Sequence, residues 1–269
     1  MDFLRENVRD SLDYILKHIQ GFTPQIGIIL GTGLGGLISN NNMDDIQILH
    51  TLDYSDIPHF PISTVESHHG NLLFGYVSGK PCVIMQGRFH YYEGYKLEQV
   101  TYPVHIMKNL GIHILLVSNA CGAVNPIYHP GDLMIMRDHI NYLFDTPLKG
   151  LKHDNINKKM YDEGLIELGE KIALENKIKV RKGVYLSLRG PTLETRSEYR
   201  MIRKMGADVV GMSTIPEVLL SSTNGMKVFG ISVVTDTGYP LADTSDSVIV
   251  LSCPDRSIGL SSFNHRPEF

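Results

Sequence analysis

The stretch GPTLETRSEYRMIRKMGADVVGMSTIPEV, residues 190–218, combines a helical pattern with a short buried strand. Its apolar run at 209–212 predicts the strand, and Ser213 follows at the point where that run stops. Glu194 lies upstream, at the start of the helical pattern. Because open α/β sheets bind small molecules at the carboxyl ends of their strands, Ser213 and Glu194 are candidate ligand-binding residues.

Similar short apolar runs occur on both sides of this stretch, and helical patterns separate several of them. Such alternation indicates an α/β fold, and we expect a single three-layer domain with a mixed, mostly parallel sheet flanked by helices. We expect this domain to span residues 1–237 and residues 238–269 to form an atypical, irregular tail. The predicted strands are 26–30, 46–52, 72–76, 83–85, 112–117, 133–136, 184–186, 209–212 and 228–234, and the main helical patterns are 3–19, 97–110, 161–175 and 194–205.

The composition argues against several classes of function. The 269 residues are 42% hydrophobic and carry a net charge of −4, which gives no electrostatic reason to bind nucleic acid or an anionic membrane. Cys82, Cys121 and Cys253 form no C-x-x-C pair, and the start of the chain lacks the apolar core of a signal peptide. These features predict reduced thiols and a cytoplasmic protein. No metal-ligand spacing occurs, so we expect no bound metal.

A glycine-rich turn follows the first predicted strand. Gly31, Gly33 and Gly36 satisfy G-x-G-x-x-G, and Asp53 lies further on, as in a dinucleotide-dependent oxidoreductase. The same glycines would let backbone N–H groups approach an anion, with the Thr32 hydroxyl as a further donor. A tight turn that needs positive φ angles is the third interpretation.

Further candidate anion ligands follow later strands. Arg88 and His90 lie two positions apart after a strand, so in extended backbone both side chains face the same ligand. A guanidinium can bind phosphate through two hydrogen bonds. The small residues at 118–122 allow a backbone N–H to approach a ligand closely, and His68 adds a possible donor.

Four segments, GTGLGG, GRFHYYEGY, VSNACGAVNP and GPTLET…GADVVGMSTIPEV, resemble the trimeric purine nucleoside phosphorylase family in order and spacing. The resemblance covers about residues 20–237. It implies an enzyme of purine salvage, a pentosyltransferase that reversibly cleaves inosine or guanosine, and their deoxy forms, with phosphate. The products are the free base and ribose 1-phosphate. It further implies a homotrimer that needs no cofactor, since phosphate is a co-substrate.

The resemblance also assigns roles to individual positions. Glu194 matches the carboxylate that holds the N1–H edge of the purine, while Tyr92 and Met212 match residues beside the sugar. His90, Glu194 and Asp236 are the residues with an implied catalytic role. The implied phosphate ligands are Thr32, His68, Arg88, His90, the backbone N–H of Ala120, and Ser213, and the implied nucleoside ligands are Tyr92, Glu194, Met212 and Asp236.

Asp236 departs from the family pattern, in which an asparagine commonly donates a hydrogen bond to purine N7. An ionised aspartate only accepts hydrogen bonds, so Asp236 either holds a proton or binds an exocyclic amine. The second option raises methylthioadenosine phosphorylase as an alternative function. Methylthioadenosine phosphorylases have the sequence M-T-T where this chain has Met-Ser-Thr, and they lack a glutamate at the position of Glu194. The resemblance therefore favours 6-oxopurine nucleosides as substrates.

Two further departures concern segments that follow the sheet strands. Residues 145–160 contain no aromatic residue, whereas the family carries a phenylalanine there that enters a neighbouring subunit's site. The predicted tail, residues 238–269, replaces the family's last helix. A nucleoside-binding protein that has lost catalysis is therefore a rival hypothesis.

Overall fold

The computed structural model describes residues 2–39, 45–62, 70–150 and 159–238. Within these ranges the chain forms one nine-stranded sheet and seven α-helices. The strands are β1 (Ile26–Ile29), β2 (Ile46–Asp53), β3 (Asn71–Val77), β4 (Lys80–Gln86), β5 (Ile114–Ala123), β6 (Leu133–Asn141), β7 (Val180–Ser187), β8 (Val209–Gly211) and β9 (Lys227–Thr237). The helices are α1 (Asp2–His18), α2 (Gly36–Ser39), α3 (Leu97–Val100), α4 (Tyr102–Asn109), α5 (Glu163–Glu175), α6 (Arg196–Lys204) and α7 (Ile215–Thr223).

The sheet is mixed, as predicted, and part of it closes on itself. The strand order is β2-β3-β4-β1-β5-β8-β7-β6-β9, and β9 pairs with β5 as well. Five described strands, β5, β8, β7, β6 and β9, therefore form a ring. Parallel pairs are β1–β4, β1–β5, β5–β9, β6–β7 and β7–β8, and antiparallel pairs are β2–β3, β3–β4, β5–β8 and β6–β9.

The strand β5 changes neighbours along its length. On one side it pairs with β9 from Ile114 to Ala123. On the other side it pairs with β1 up to Val117, and with β8 only from Gly122 onward. Between Val117 and Gly122, β5 pairs with neither β1 nor β8, so a gap opens between these two strands. A crevice of this kind, at the carboxyl ends of parallel strands, is where open α/β sheets bind ligands.

Side chains of successive strand residues enter different apolar clusters, which explains the layered architecture. In β4, Val83 and Met85 join the large cluster that includes residues of α1, α4 and α7. Cys82 and Ile84 point the other way and pack with residues that follow β1. Since successive side chains of a strand face opposite sides, both faces of the sheet are covered. The predicted domain with helices flanking a sheet is thereby confirmed.

Helix boundaries follow local capping groups. The pattern predicted at 161–175 becomes α5, whose N-cap Asp162 accepts from the backbone N–H of Leu165 at 3.0 Å. The pattern at 194–205 becomes α6, where Thr195 and Glu198 form a capping box. The pattern at 97–110 is divided into α3 and α4 at Thr101.

Some predictions fall outside the described residues. These are His68, Cys253, residues 151–158 of the 145–160 connection and all of the predicted tail except Gly238. The boundary after residue 237 therefore stays a prediction. In the described part of the chain, no helix is long and apolar enough to span a membrane.

Gly31 is required by a close approach between two backbones. A Cβ atom at this position would lie 2.6 Å from the Cα of Asn119 and 2.8 Å from the carbonyl oxygen of Ser118. Of the other glycines in the turn, Gly33 has a φ of 80° and so uses the left-handed region. Gly36 has open space around it.

Gly31→Ala is expected to lower the free energy of unfolding by about 2 kcal/mol, because backbone atoms of β5 cannot move aside for the added methyl group. Urea denaturation measures the change. Gly36→Ala is the matched control, and its unfolding midpoint is expected to equal or exceed that of the parent. Equal midpoints for Gly31→Ala and the parent would contradict this account of the contact.

Candidate active site

A cavity of about 190 Å³ lies beside β5, in the gap between its neighbours β1 and β8. Side chains reach it from the segments that follow β1, β4 and β8 and from the end of β9. Of the predicted site residues, all but His68 lie within the described ranges, and every one of those lines this cavity. They are Thr32, Arg88, His90, Tyr92, Ala120, Glu194, Met212, Ser213 and Asp236.

A larger cavity of about 600 Å³ adjoins the first and shares Tyr92 with it. Two of its cations are already engaged by neighbours. Lys149 pairs with Asp145 at 2.6 Å, and the guanidinium of Arg189 lies over the ring of Tyr91 at 5.1 Å. The predicted anion ligands face the smaller cavity, which we therefore take as the candidate site.

The guanidinium of Arg88 is 1% exposed and is held by several segments at once. Its Nη1 donates to the hydroxyls of Ser213 at 3.0 Å and Thr214 at 2.6 Å. Its Nη2 donates to the carbonyl oxygens of Ile29 and Ser118. Its Nε has no hydrogen-bond partner among the described residues. Because a buried donor without an acceptor is costly, this N–H is suited to an incoming anion.

Thr214 holds an unusual backbone conformation beside Arg88. Its φ of 73° is rare for a β-branched residue, and such strain clusters at functional sites. Thr214 is the N-cap of α7, yet within the described structure its side chain makes no cap hydrogen bond. The hydroxyl instead accepts from Arg88 and, at 2.9 Å, from Nδ2 of Asn119. The threonine thus orients polar side chains at the cavity.

His90 is oriented by a buried carboxylate. Its Nδ1 lies 3.0 Å from Oε1 of Glu93, which also accepts from the backbone N–H of His90 at 2.7 Å. A carboxylate at Nδ1 favours the tautomer that carries its proton there. The ring stacks on Tyr92, with centroids 4.7 Å apart. Burial, with a contribution from the charge of Glu93, raises the pKa of Tyr92 to about 12, so its phenol stays protonated at neutral pH.

Two acidic side chains, Glu194 and Asp236, also line the cavity. Burial raises the pKa of Glu194 above its ordinary value, and the negative charge of Asp236 adds to the rise. Asp236 accepts from the hydroxyl of Thr235 at 3.0 Å. Its Oδ2 lies 3.0 Å from the position that a Cβ on Gly122 would take. The glycine therefore gives the carboxylate room beside β5.

Met212 and Tyr92 form one wall of the cavity. Both approach Gly190, where an added Cβ would collide with Sδ of Met212 and lie 3.3 Å from Cδ1 of Tyr92. Thr32 is exposed on the turn after β1. Gln86 stabilises this turn by donating a hydrogen bond to the carbonyl oxygen of Gly35 at 3.1 Å. Ala120 lies on β5 and lines the cavity.

Several residues at the site were not predicted from the sequence. Asn119 and Thr214 give no local signal, because their roles depend on contacts between distant strands. Glu93 follows His90 at the three-residue spacing of a capping box, which could have identified it. Glu217 is an acidic residue in the first turn of a helix, a position that usually indicates only a helix start.

The dinucleotide interpretation of the glycine-rich turn is not supported. Asp53 accepts from the backbone N–H and hydroxyl of Ser55 at 2.8 and 2.6 Å, where it caps a short 3₁₀ turn. It lies on β2, which β3 and β4 separate from β1. Asp53 is therefore remote from the turn that would hold a pyrophosphate. In the ranges described, no three His, Cys, Asp or Glu side chains are grouped to hold a metal ion.

Comparisons with known proteins agree with this geometry. The family model described as "Phosphorylase superfamily" matches residues 25–250. Purine nucleoside phosphorylase 1 of Geobacillus stearothermophilus is 46% identical over 236 residues, which cover 84% of each chain. Purine nucleoside phosphorylase of Bos taurus is 40% identical over 242 residues, which cover 86% of this chain and 82% of the relative.

Solved structures give the same result. The crystal structure of the purine nucleoside phosphorylase from Schistosoma mansoni in complex with acetate has a TM-score of 0.77 and 41% sequence identity. The match covers 87% of this chain and 88% of that one. With both sequence and fold shared over most of its length, this chain belongs to the phosphorylase superfamily and, within it, to the purine nucleoside phosphorylases.

Proposed function

We propose that this chain catalyses the reversible phosphorolysis of purine nucleosides, with inosine and guanosine as preferred substrates. The observation that carries the proposal is the polarity of one cavity. The buried guanidinium of Arg88 contacts β5 at Ser118, whereas the carboxyl group of Asp236 lies beside Gly122 further along the same strand, and Glu194 lines the same cavity. A site of this form suits a phosphate anion and a purine base bound side by side.

Arg88, with Ser213, His90 and the turn at Thr32, binds and aligns the phosphate. A phosphate oxygen attacks C1′ of the sugar as the bond from C1′ to N9 breaks, through an oxocarbenium-like transition state similar to that of glycoside hydrolysis. The bonding pair leaves with the purine, which is protonated to give the free base. The nucleophile is already an anion, so its alignment supplies much of the rate enhancement.

Glu194 and Asp236 bind and stabilise the departing purine. The Glu194 carboxylate accepts a hydrogen bond from the N1–H of a 6-oxopurine, a group that adenine lacks. A hydrogen bond to N7 stabilises the charge that develops on the base, and a protonated Asp236 can donate it. The relatives found are purine nucleoside phosphorylases, so the alternatives, methylthioadenosine phosphorylase and a protein without catalysis, are not favoured.

The proposal includes a homotrimer, a cytoplasmic location, a role in purine salvage and independence from any cofactor. Each of these comes from the family resemblance. The site residues assigned above, including His68 outside the described ranges, belong to the same proposal.

Arg88→Ala is expected to lower kcat/KM for phosphate by roughly 10²- to 10³-fold, since it removes a charged donor from the anion site. The test is the ultraviolet assay of base release from inosine or guanosine, with and without phosphate. The exposed Arg9→Ala is the control and should retain parental activity. Base release that needs no phosphate would refute the function, and an active Arg88→Ala would refute the site.

Glu194→Gln is expected to reduce inosine and guanosine turnover far more than it reduces the melting temperature. The glutamine side chain can turn its N–H group toward the N1–H of the purine. Two hydrogen-bond donors then face each other, and neither has an acceptor. Protonation of Glu194 removes the same acceptor, so parental binding of these nucleosides should weaken as pH falls through its raised pKa. A pH profile of kcat/KM for the parent and the variant tests this. Equal losses of stability and activity would indicate a structural role.

Asp236→Asn is expected to keep or raise inosine turnover, because an amide donates to N7 without needing a proton from solvent. Steady-state kinetics of the parent and the variant with inosine and with adenosine measure the change for each substrate. Loss of inosine turnover in the variant, or a parental preference for adenosine-type substrates, would overturn this account of the base pocket.

A further inference from the structure

A second buried charge lies behind the candidate phosphate site. Oε1 of Glu217 is 3.9 Å from Nη1 of Arg88, and the side chains are 4% and 1% exposed. Oε2 of Glu217 has no hydrogen-bond partner among the described residues. Glu217 is absent from the cavity lining, so it reaches the site only through Arg88.

A buried carboxylate with an unsatisfied oxygen is costly to the fold. Two features reduce the cost. Glu217 lies in the first turn of α7, where the helix dipole favours negative charge. The guanidinium of Arg88 also supplies the opposite charge at close range. Since an acidic residue in a first helical turn is ordinarily solvated, its burial here needs an explanation beyond helix stability.

We propose that Glu217 is a positioning residue, the counter-ion that holds Arg88 at the cavity and limits how tightly the site binds phosphate. The inference depends on the proposed placement of phosphate at Arg88. The carboxylate and a bound phosphate share one guanidinium, because Oε1 of Glu217 lies 3.9 Å from Nη1 while Nε has no partner within the described structure. Their negative charges repel each other across it.

This arrangement has a specific consequence for binding. With Glu217 ionised, phosphate meets a cation whose charge is already partly balanced, and its affinity is moderated. Without that charge, a buried cation is left uncompensated and attracts the anion more strongly. A purely structural role predicts the reverse, since disorder around Arg88 would weaken phosphate binding.

The test is Glu217→Gln, which keeps the shape of the side chain and removes its charge. Isothermal titration with inorganic phosphate, without nucleoside, should show a dissociation constant about tenfold lower than in the parent, or about 1.4 kcal/mol. The melting temperature without phosphate should fall, and saturating phosphate should restore most of the loss. An unchanged or weakened phosphate affinity would overturn the inference.

Control variants separate this inference from the assignment of the site. Glu217→Asp keeps the charge and should bind phosphate within about threefold of the parent. Glu167→Gln removes an exposed acid on α5 and should change nothing. If Arg88→Ala abolishes phosphate binding while Glu217→Gln matches the parent, the site assignment stands and the inference fails. If Arg88→Ala binds phosphate normally, the site assignment itself fails.

A folding defect in Glu217→Gln would also be informative. If the variant folds only when phosphate is present during purification, the anion replaces the missing charge, as the inference requires. A variant that stays unfolded at phosphate concentrations that saturate the parent would contradict it.

Discussion

Burial of the Arg88 guanidinium is the constraint on which the site depends. Its hydrogen bonds end on a carbonyl at the end of β1, a carbonyl within β5 and two hydroxyls after β8, while Arg88 itself follows β4. Four strands must therefore be in register before the charge can leave water. Because its donors are fixed by the fold, the site needs little reorganisation to receive an anion.

This register depends on how closely β1 approaches β5. Gly31 allows the end of β1 to lie against the backbone of Asn119, and its N–H donates to the hydroxyl of Ser118 at 3.1 Å. The same hydroxyl donates to the carbonyl oxygen of Ile29 at 3.2 Å. The glycine-rich turn thus serves first to join two strands, and the position of Thr32 at the cavity follows from that junction.

Local patterns in the sequence predicted much of the fold and part of the candidate site, while Tyr92, Met212 and Asp236 came from the family resemblance. Alternating apolar runs identified the strands, and polar residues after strand ends identified Arg88 and Ser213, because both signals lie in adjacent residues. The closure of β5 onto β9 and the pairing of Arg88 with Glu217 join residues more than one hundred positions apart. No local pattern records such contacts. The positive φ of Thr214 could not be predicted either, because a threonine rarely adopts that conformation.

Ring closure also affects how the sheet meets its surroundings. An open sheet of nine strands has two edges that can pair with another molecule, whereas here β9 returns to β5, and β2 is the outer strand at the remaining edge of the described sheet. The pairing of β2 is irregular between Ile48 and His50. Bulges on edge strands hinder the addition of further strands and thereby oppose aggregation. Extension of the described sheet by a further strand is thus confined to β2, an edge that is poorly suited to it.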